Sequence, residues 1–356
     1  MKTGRNNVRT RNSAGKIKNK AAGRPAEAPE SADEYGTGIQ WFPGHMAKAR
    51  RLLAENLAQV DVCAELVDAR IPLSSRNPEI DRLLGEKPRL ILANKSDLAD
   101  PEAMRGFTAY YRGKGTAFIP VSSSGGAGVE EAGRALVRLM EDKIRRREER
   151  GQKLYTVKAM IVGIPNVGKS TFINRLCGRS AAQVGNRPGV TRGKQWLRAG
   201  EGLLLLDTPG LLWPRFEDQR AAVCLAATGA IKDDVIDRES VAAYVCAYLM
   251  TTYPGTLGDR YGISEAEAEA AAAKAGQEAE TQGPALSGIS AEFVKGSAIL
   301  EAVAVKKGCL RKGGLADTDR ASALLLDDLR SGKLGRITLD EVPEFPDVPG
   351  ETENDG

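Results

Sequence analysis

ILANKSDLAD, residues 91–100, and GIPNVGKS, residues 163–170, decide the fold of this chain. The first stretch reads as the end of a buried strand followed by Asn94-Lys95-Ser96-Asp97, the NKxD pattern by which GTP-binding proteins read guanine. The second matches G-x-x-x-x-G-K-[ST], the phosphate loop of nucleotide-binding domains. A phosphate loop normally comes before the base loop, so the order of the two motifs is what has to be explained.

The phosphate-loop match has the flanks that this motif requires. YTVKAMIVG predicts a strand before it, and STFINRLCG predicts a helix after it. Gly163 and Gly168 would let the backbone curl so that its N–H groups point at phosphate oxygens. Lys169 would lie against the β- and γ-phosphates, and the Ser170 hydroxyl would bind Mg²⁺. The other predicted nucleotide contacts here are Asn166, Val167 and Thr171.

Two further motifs follow the phosphate loop. Asp207 begins DTPG at the end of an apolar strand, where it would hold Mg²⁺, and the N–H of Gly210 could sense the γ-phosphate. NRPGVTRG lies between the phosphate loop and DTPG, and its Thr191 is the candidate that closes over Mg²⁺ and the γ-phosphate. A threonine in such a turn carries no signal alone, so the assignment of Thr191 depends on its place between the other motifs.

The NKSD motif predicts which base is bound. A carboxylate at Asp97 can accept hydrogen bonds from both the ring N–H and the exocyclic amine of guanine, a pair that adenine lacks. Asn94 can bond the base edge, and Lys95 can lay its stem along the ring. The sequence therefore favours GTP and GDP over adenine nucleotides. The predicted base site also includes Ser96, Ser122 and Ser123.

The reversed order of the motifs indicates one domain whose strands are cyclically reordered. Two nucleotide domains would need a second phosphate loop before Asn94, and residues 39–93 contain no GxxxxGK. Packing depends on which strands are neighbours in space, so a cut at one loop and a join of nearby termini preserves the site. Alternating strands and helices predict an α/β fold with a mostly parallel sheet, a circularly permuted P-loop GTPase domain over residues 39–233.

The remainder of the chain has a different character. Residues 234–340 show only helical patterns and are predicted to form an all-helical domain, in which the Ala/Glu-rich stretch 264–280 is an exposed helix or a low-complexity insertion. Residues 1–38 form a basic tail expected to be disordered, and residues 341–356 form an acidic one. The basic tail either screens phosphates or is a solvated tail with no partner, while its composition disfavours a transit peptide.

Composition excludes several other classes of protein. No run approaches the roughly 18 apolar residues that span a bilayer, so no membrane segment is expected. The five cysteines are scattered without a CxxC pair, which predicts free thiols in a reducing compartment and no disulfide partner. His45 is the single histidine, so a histidine-based metal centre is excluded. We also expect a monomer.

The cyclic order of NKSD, SSS, GIPNVGKS, the Thr191 loop and DTPG, with IQWFPGHMAKA in front, resembles the YlqF/RbgA family of circularly permuted GTPases. The resemblance covers roughly residues 39–340, including KKGCLRKGGLADTDRASALLLDDLRSGKLG. It implies a cytoplasmic GTPase that binds the large ribosomal subunit late in assembly, with the helical domain contacting rRNA. A mitochondrial member of the same family is the alternative.

Water activation is where the sequence departs from many GTPases. Those enzymes carry a glutamine just after DxxG, whereas this chain has Leu211, which cannot hydrogen-bond water. His45 matches the family's catalytic histidine, and a neutral imidazole could orient or deprotonate water; alternatively it packs or caps the helix that starts near Met46. Asn166 could ligate K⁺ bridging the phosphates, as in similar K⁺-stimulated GTPases, or it could only cap the loop.

Basic segments supply the expected contacts to RNA. KKGCLRKGG combines charge with flexible glycine and offers Lys306, Lys307, Arg311 and Lys312 as phosphate partners. KIRRREER interleaves acids with its bases, so it reads as an ordinary solvated helix face. No RNA-recognition motif with exposed aromatics is visible, which favours recognition of shape and backbone.

Three functions remain open on the sequence. The leading one is a GTP-hydrolysing assembly factor of the large ribosomal subunit. The second is a nucleotide-gated RNA- or ribosome-binding module in which turnover is incidental, an interpretation that Leu211 keeps open. The third is a GTPase that acts on tRNA or on a membrane-associated partner.

Overall fold

The computed structural model describes residues 46–152, 155–178, 195–208, 218–281 and 291–344. At its centre is a six-stranded sheet with the spatial order β3-β2-β1-β4-β6-β5. Neighbouring strands are parallel except for β5, which runs antiparallel to β6 at one edge. The strands are β1 (Val62–Asp68), β2 (Arg89–Asn94), β3 (Ala117–Val121), β4 (Val157–Gly163), β5 (Gln195–Arg198) and β6 (Leu203–Asp207).

The helices lie on both faces of the sheet and then continue beyond it. Those interleaved with the strands are α1 (Met46–Leu57), α2 (Pro78–Leu84), α3 (Pro101–Gly113), α4 (Val129–Arg138), α5 (Glu141–Glu148) and α6 (Lys169–Cys177). After β6 come α7 (Gln219–Ala227), a 3₁₀ turn (Asp233–Val235), α8 (Arg238–Thr252), α9 (Thr256–Tyr261), α10 (Glu265–Thr281), α11 (Ala291–Lys306) and α12 (Thr318–Ser331).

β1 shows why these strands form the centre of the molecule. All seven of its residues are buried. Val62, Ala64 and Leu66 pack into the largest hydrophobic cluster on one face of the sheet, while Cys63 and Val67 pack into separate clusters on the other. Parallel strands covered on both faces need such near-continuous apolar runs.

The strand order confirms the permuted α/β fold. β1, the first strand among the described residues, pairs with β4, the strand that leads into the phosphate loop, and Leu66 lies opposite Gly163. β4 also pairs with β6, where Ile161 lies opposite Asp207. The carboxyl ends of β1, β2, β4 and β6 therefore meet at one edge of the sheet, which is where ligands bind in open parallel sheets.

The helix-forming run VEEAGRALVRLMEDKIRRREER, residues 129–150, predicts one long helix, but the structure divides it into two. α4 ends at Arg138 and α5 starts at Glu141, with the 7% exposed Met140 turned into the main hydrophobic cluster between them. α4 has a buried apolar stripe, whereas α5 buries no residue and is held by Lys143, whose Nζ lies 2.5 Å from Oδ1 of Asp61. The loss of the apolar stripe after Met140 is the physical reason for the break.

The helical segment packs onto the sheet through α7. Residues 222–227 of α7 are all buried. One hydrophobic cluster runs from sheet residues such as Ala159 through Leu225 of α7 to Val245 of α8 and Leu325 of α12. Among the described residues after β6, the single extended pairing is an isolated bridge between Leu310 and Ala316, so the predicted helical character of this region is confirmed.

The Ala/Glu-rich stretch is more integrated than its composition suggested. It forms α10, which packs against α11 and buries Ala268 and Ala272. Glu267 of α10 pairs with Lys306 of α11 at 2.8 Å. The alanines that looked like low complexity therefore allow close helix contact on one side, while Glu265, Glu267 and Glu269 are exposed.

The membrane and disulfide predictions can be compared with the described ranges. None of the helices in them is long and apolar enough to cross a membrane. All five cysteines lie within the described ranges, and each is a thiol there rather than half of a disulfide.

Gly296 provides a test of the contact between α8 and α11. A Cβ atom at Gly296 would lie 2.0 Å from the carbonyl oxygen of Ala243 in α8. Because backbone cannot rotate away as a side chain does, we expect Gly296→Ala to lower the free energy of unfolding by about 3 kcal/mol in urea denaturation. The control is Gly276→Ala in α10, where no heavy atom lies within 4 Å and a gain of up to about 1 kcal/mol is expected. Equal stability of the two variants would contradict the close packing.

Candidate functional site

The guanine loop, residues 94–100, starts where β2 ends and is tied to two other loops by one side chain. Asn94 is only 2% exposed. Its Nδ2 donates to the carbonyl of Val167 at 2.7 Å, and its Oδ1 accepts from the N–H and hydroxyl of Ser123 at 3.0 and 2.7 Å. The sequence predicted that Asn94 bonds the base edge. In the structure, its side chain holds the guanine loop, the phosphate loop and the serine loop after β3 together.

The phosphate loop needs glycine at two points for reasons that the structure makes specific. A Cβ at Gly163 would lie 2.4 Å from the carbonyl oxygen of Leu66 in β1. A Cβ at Gly168 would lie 2.4 Å from Nδ2 of Asn94. Both glycines also have φ in the left-handed range, +154° and +97°. Glycine at these positions therefore permits the tight loop and leaves room for the Asn94 bridge.

Two non-glycine residues in the described part of the chain have positive φ, and both belong to the predicted site. Lys95 has a φ of 63° and Asn166 has a φ of 58°. Such conformations are uncommon for residues with a Cβ and persist where the surroundings hold them. Asn166 is held by a hydrogen bond from its Nδ2 to the carbonyl of Gly229 at 3.0 Å, which leaves its side-chain oxygen available to a cation.

Lys169 opens α6 directly after the loop. Its side chain is 8% exposed, and Nζ donates to the carbonyls of Gly163 and Ile164 at 3.1 and 2.7 Å. Burial lowers the pKa of Lys169 to about 8, and the nearby Asp207 carboxylate offsets part of that shift. A buried ammonium held by neutral carbonyls is well suited to exchange them for phosphate oxygens, which carry negative charge.

The predicted magnesium ligands come from two elements of the carboxyl edge. Of these, Ser170 lies in the first turn of α6, next to the predicted nucleotide contact Thr171, and Asp207 is the last residue of β6, 3% exposed. Thr208 fixes the chain that follows, because its hydroxyl donates to the carbonyl of Ile161 at 2.5 Å. A hydroxyl and a carboxylate are hard oxygen donors of the kind Mg²⁺ takes together with phosphate oxygens, so this donor set fits the ion.

Several predicted residues lie outside the described ranges. They are the catalytic candidate His45, the magnesium candidate Thr191, Gly210 of DTPG, and Leu211 after it. Their roles stay predictions.

Two charged residues that the sequence analysis did not single out support the guanine loop. Asp68, the last residue of β1, accepts from Nε and Nη2 of Arg70 at 2.9 and 2.7 Å and from Nζ of Lys95 at 2.9 Å. Burial alone would raise the pKa of Asp68, but Arg70 and Lys95 outweigh that effect and hold it well below its usual range. The position of Asp68 was the available signal, because it follows a buried strand at the edge where ligands bind.

A third unpredicted residue, Arg175 of α6, supports the serine loop. Its Nε donates to the carbonyl of Ser123 at 3.2 Å, and Nη2 donates to the carbonyl of Ser124. Ser122 and Ser123 are each 3% exposed, and the Ser122 hydroxyl accepts from the N–H of Gly125 at 3.1 Å. The loop predicted to cover the base is thus held on one side by Asn94 and on the other by Arg175.

These contacts assemble one site from three loops. Asp97 is exposed within the guanine loop, so its carboxylate is accessible to a base. The phosphate loop lies beside it through Asn94, and the serine loop closes the same corner. The cradle without Cβ atoms at Gly163 and Gly168, the buried Lys169 and the accessible Asp97 fit a guanine nucleotide.

Comparison with known proteins agrees with this arrangement. A protein-family model described as "50S ribosome-binding GTPase" matches residues 158–247, which begin in β4 just before the phosphate loop. The structure of GNP-bound YlqF from Thermotoga maritima superposes with a TM-score of 0.54 at 23% identity, covering 84% of this chain and 100% of that one. This likeness shows the fold.

The sequence relatives extend over most of the chain. Ribosome biogenesis GTPase A of Bacillus cereus is 42% identical over 86% of this chain and 95% of the relative. The protein of the same name from Priestia megaterium is 41% identical over 86% of this chain and 98% of the relative. With the permuted sheet and the assembled loops, this similarity shows that the chain belongs to the ribosome biogenesis GTPase A family of circularly permuted GTPases.

Proposed function

We propose that this protein hydrolyses GTP as an assembly factor in the late maturation of the large ribosomal subunit. The observation that carries the proposal is the Asn94 bridge, which joins a guanine-reading motif to a phosphate loop inside a permuted domain. Family membership supports the same function, because the relatives are named ribosome biogenesis GTPases.

Base recognition falls to Asp97, and nucleotide anchoring to the phosphate loop. Asp97 would accept from the ring N–H and amine of guanine, and the stem of Lys95 would lie along the ring, with Nζ anchored on Asp68. Ser96, Ser122 and Ser123 would complete the base site. Lys169 would hold the β- and γ-phosphates, helped by backbone N–H groups at the end of the phosphate loop and at the start of α6. These N–H groups belong to Val167, Gly168, Ser170 and Thr171.

The ions of the reaction would be held by oxygen donors of the chain. Ser170, Asp207 and Thr191 would hold Mg²⁺, which neutralises charge on the phosphates when bound. The side-chain oxygen of Asn166 would hold K⁺, because the amide nitrogen is already engaged with the carbonyl of Gly229. Gly210 would sense the γ-phosphate through its N–H.

Water activation would fall to His45. Leu211 stands where many GTPases have a glutamine, and its side chain has no hydrogen-bonding atom. A neutral imidazole could orient the attacking water or accept its proton. We propose that contact with the large subunit brings His45 into position, so turnover on the free protein is slow.

The helical segment offers a basic, apolar hairpin as the contact to rRNA. Residues 309–317 form a tight turn in which the N–H of Arg311 donates to the carbonyl of Leu315 at 2.8 Å. Leu310 and Leu315 are exposed at its base, 45% and 70%. Arg311 pairs with Asp317, and Lys306 pairs with Glu267. The stronger candidates for phosphate contacts are Lys312 in the hairpin and Lys307 just before it, whose ammonium lies 5.5 Å from the centre of the Tyr261 ring.

We place this activity in the cytoplasm and expect the protein to act as a monomer. The main alternative is a nucleotide-gated module whose turnover is incidental. Leu211 is the specific observation that favours it. The two functions differ in whether the large subunit stimulates hydrolysis.

Asp97→Asn tests the base assignment. The amide replaces one acceptor by a donor, so it mismatches the exocyclic amine of guanine and matches the carbonyl that xanthine carries in its place. We expect affinity for GDP to fall at least about a hundredfold and affinity for XDP to rise, measured with fluorescent nucleotides. The melting temperature of the variant protein is the control. It should equal that of the wild type, because Asp97 is exposed. Unchanged GDP affinity would exclude Asp97 from the base site.

GTP turnover with and without purified large subunits, in KCl and in NaCl, tests the enzyme against the module. We expect the large subunit to stimulate turnover, and we expect turnover to be faster in KCl than in NaCl. In His45→Ala the stimulated rate should fall about a hundredfold. Binding of that variant to nucleotide and subunit is the control and should persist. Tight GTP-dependent binding to the subunit without stimulated turnover would instead support the nucleotide-gated module. Equal turnover in the two salts would exclude the K⁺ site proposed at Asn166.

The hairpin can be tested through the salt dependence of subunit binding. Affinity for nucleic acid falls as salt concentration rises, and each lysine that contacts a phosphate makes the plot of log affinity against log salt concentration steeper by about one. We expect the double variant Lys307→Ala/Lys312→Ala to bind the subunit more weakly and its plot to be shallower by about two. The matched control is Arg146→Ala/Arg150→Ala on and just after α5, two exposed arginines in the segment predicted to be merely solvated. Equal slopes for both double variants would exclude the hairpin.

A further inference from the structure

A short segment after α12 lies along the guanine loop. Residues 336–340, which we call the C-terminal clasp, donate hydrogen bonds to backbone carbonyls of this loop. Arg336 donates from Nε to the carbonyl of Ala99 at 2.8 Å and from Nη2 to the carbonyl of Ser96 at 3.0 Å. The N–H of Ile337 donates to the carbonyl of Leu98 at 3.0 Å. Three carbonyls of one loop therefore accept hydrogen bonds from the clasp.

The clasp also holds the end of the guanine loop. The hydroxyl of Thr338 accepts from the N–H of Asp100 at 3.1 Å. Tyr253, just after α8, accepts from the N–H of Thr338 at 3.0 Å, and its hydroxyl lies 3.2 Å from Oδ2 of Asp100. The loop, the clasp and the end of α8 are thus joined at one point, and Thr338 is only 1% exposed.

The clasp reaches the support beneath Lys95 as well. The N–H of Leu339 donates to the carbonyl of Arg70 at 2.7 Å. The carboxylate of Asp340 accepts from the N–H groups of Leu73 and Ser74 at 2.7 and 2.8 Å. Arg70 in turn shares Asp68 with Lys95. The loop is therefore held both directly and through the Asp68–Arg70 pair.

We propose that the C-terminal clasp positions the guanine loop for base recognition and that Arg336 is its principal positioning residue. This inference rests on the proposed reading of guanine by residues 94–97. Arg336 touches no nucleotide atom in this scheme; it acts through the backbone on either side of Asp97.

The physical reason lies in the conformation of the loop. Lys95 has a φ of 63°, a conformation that its surroundings must hold. Asp97 stands between Ser96 and Leu98, whose carbonyls are both held by the clasp. To accept two hydrogen bonds from one base, the carboxylate must lie within a few tenths of an ångström of its ideal position. Binding sites generally achieve such placement through supporting residues. Without the clasp, the loop would have to be ordered by the nucleotide itself.

Discrimination between GDP and IDP measures this placement directly. Hypoxanthine lacks the exocyclic amine, so IDP loses one of the two bonds to Asp97 and keeps every phosphate contact. We expect wild type to bind GDP more tightly than IDP. In Arg336→Ala we expect GDP affinity to fall about tenfold and IDP affinity to fall less, so that the ratio of the two dissociation constants shrinks about threefold or more.

Three further variants separate positioning from general stability. Arg336→Lys keeps one donor and should restore part of the ratio. Thr338→Val removes the acceptor for the N–H of Asp100 while conserving side-chain volume, and should shrink the ratio in the same direction. Arg320→Ala removes another exposed arginine, from α12, and should leave the ratio at the wild-type value. Arg336 is itself exposed, so its loss leaves the hydrophobic core intact.

The outcomes distinguish this inference from the proposed function beneath it. A compressed ratio in Arg336→Ala and Thr338→Val supports the clasp. A wild-type preference for GDP that survives both substitutions overturns the clasp and leaves base reading by Asp97 in place. A wild type that does not distinguish GDP from IDP overturns base reading by Asp97, and the clasp inference with it.

Discussion

The side chain of Asn94 is the interaction on which the rest of the site depends. It accepts from Ser123 and donates to Val167, so one buried amide sets the positions of three loops from three different strands. Gly168 is glycine because this amide lies where its Cβ would be. A buried amide whose nitrogen and oxygen are both hydrogen-bonded is costly to replace, because its partners would lose their hydrogen bonds in a position shielded from solvent.

The permutation explains how such a site survives an unusual chain order. β4 is central, and the strands beside it, β1 and β6, come from opposite ends of the sheet's sequence. The hydrogen bonds that form the site join loops at the carboxyl edge of the sheet, and they do not depend on the order in which the chain connects the strands. What the new order changes is the neighbourhood of the termini. The segment after the sheet returns through α7 and the later helices to the guanine loop, so the helical part and the base-reading part share hydrogen bonds.

Local patterns predicted the sheet, the phosphate loop and the guanine loop, because each is a short apolar strand followed by a motif whose chemistry depends on spacing. The break at Met140 was missed, since helix-forming residues continue across it and the outcome depends on which side chains find a core. α10 was misjudged because composition alone does not show that Ala268 is buried. Arg336 was missed because its partners lie about 240 residues away in the sequence, where no periodicity reveals them. Asp68 was missed although its place at the end of a buried strand was a usable signal.

The clasp has a consequence for how the protein is made. Arg336 follows Ser96 by 240 residues, and translation runs from the amino to the carboxyl terminus. Every strand of the sheet is synthesised before the clasp, and domains generally fold as their residues emerge. A nascent chain therefore acquires its phosphate loop well before its base-reading loop is held in place. Synthesis of the clasp, rather than formation of the sheet, marks the point at which the guanine loop gains this support.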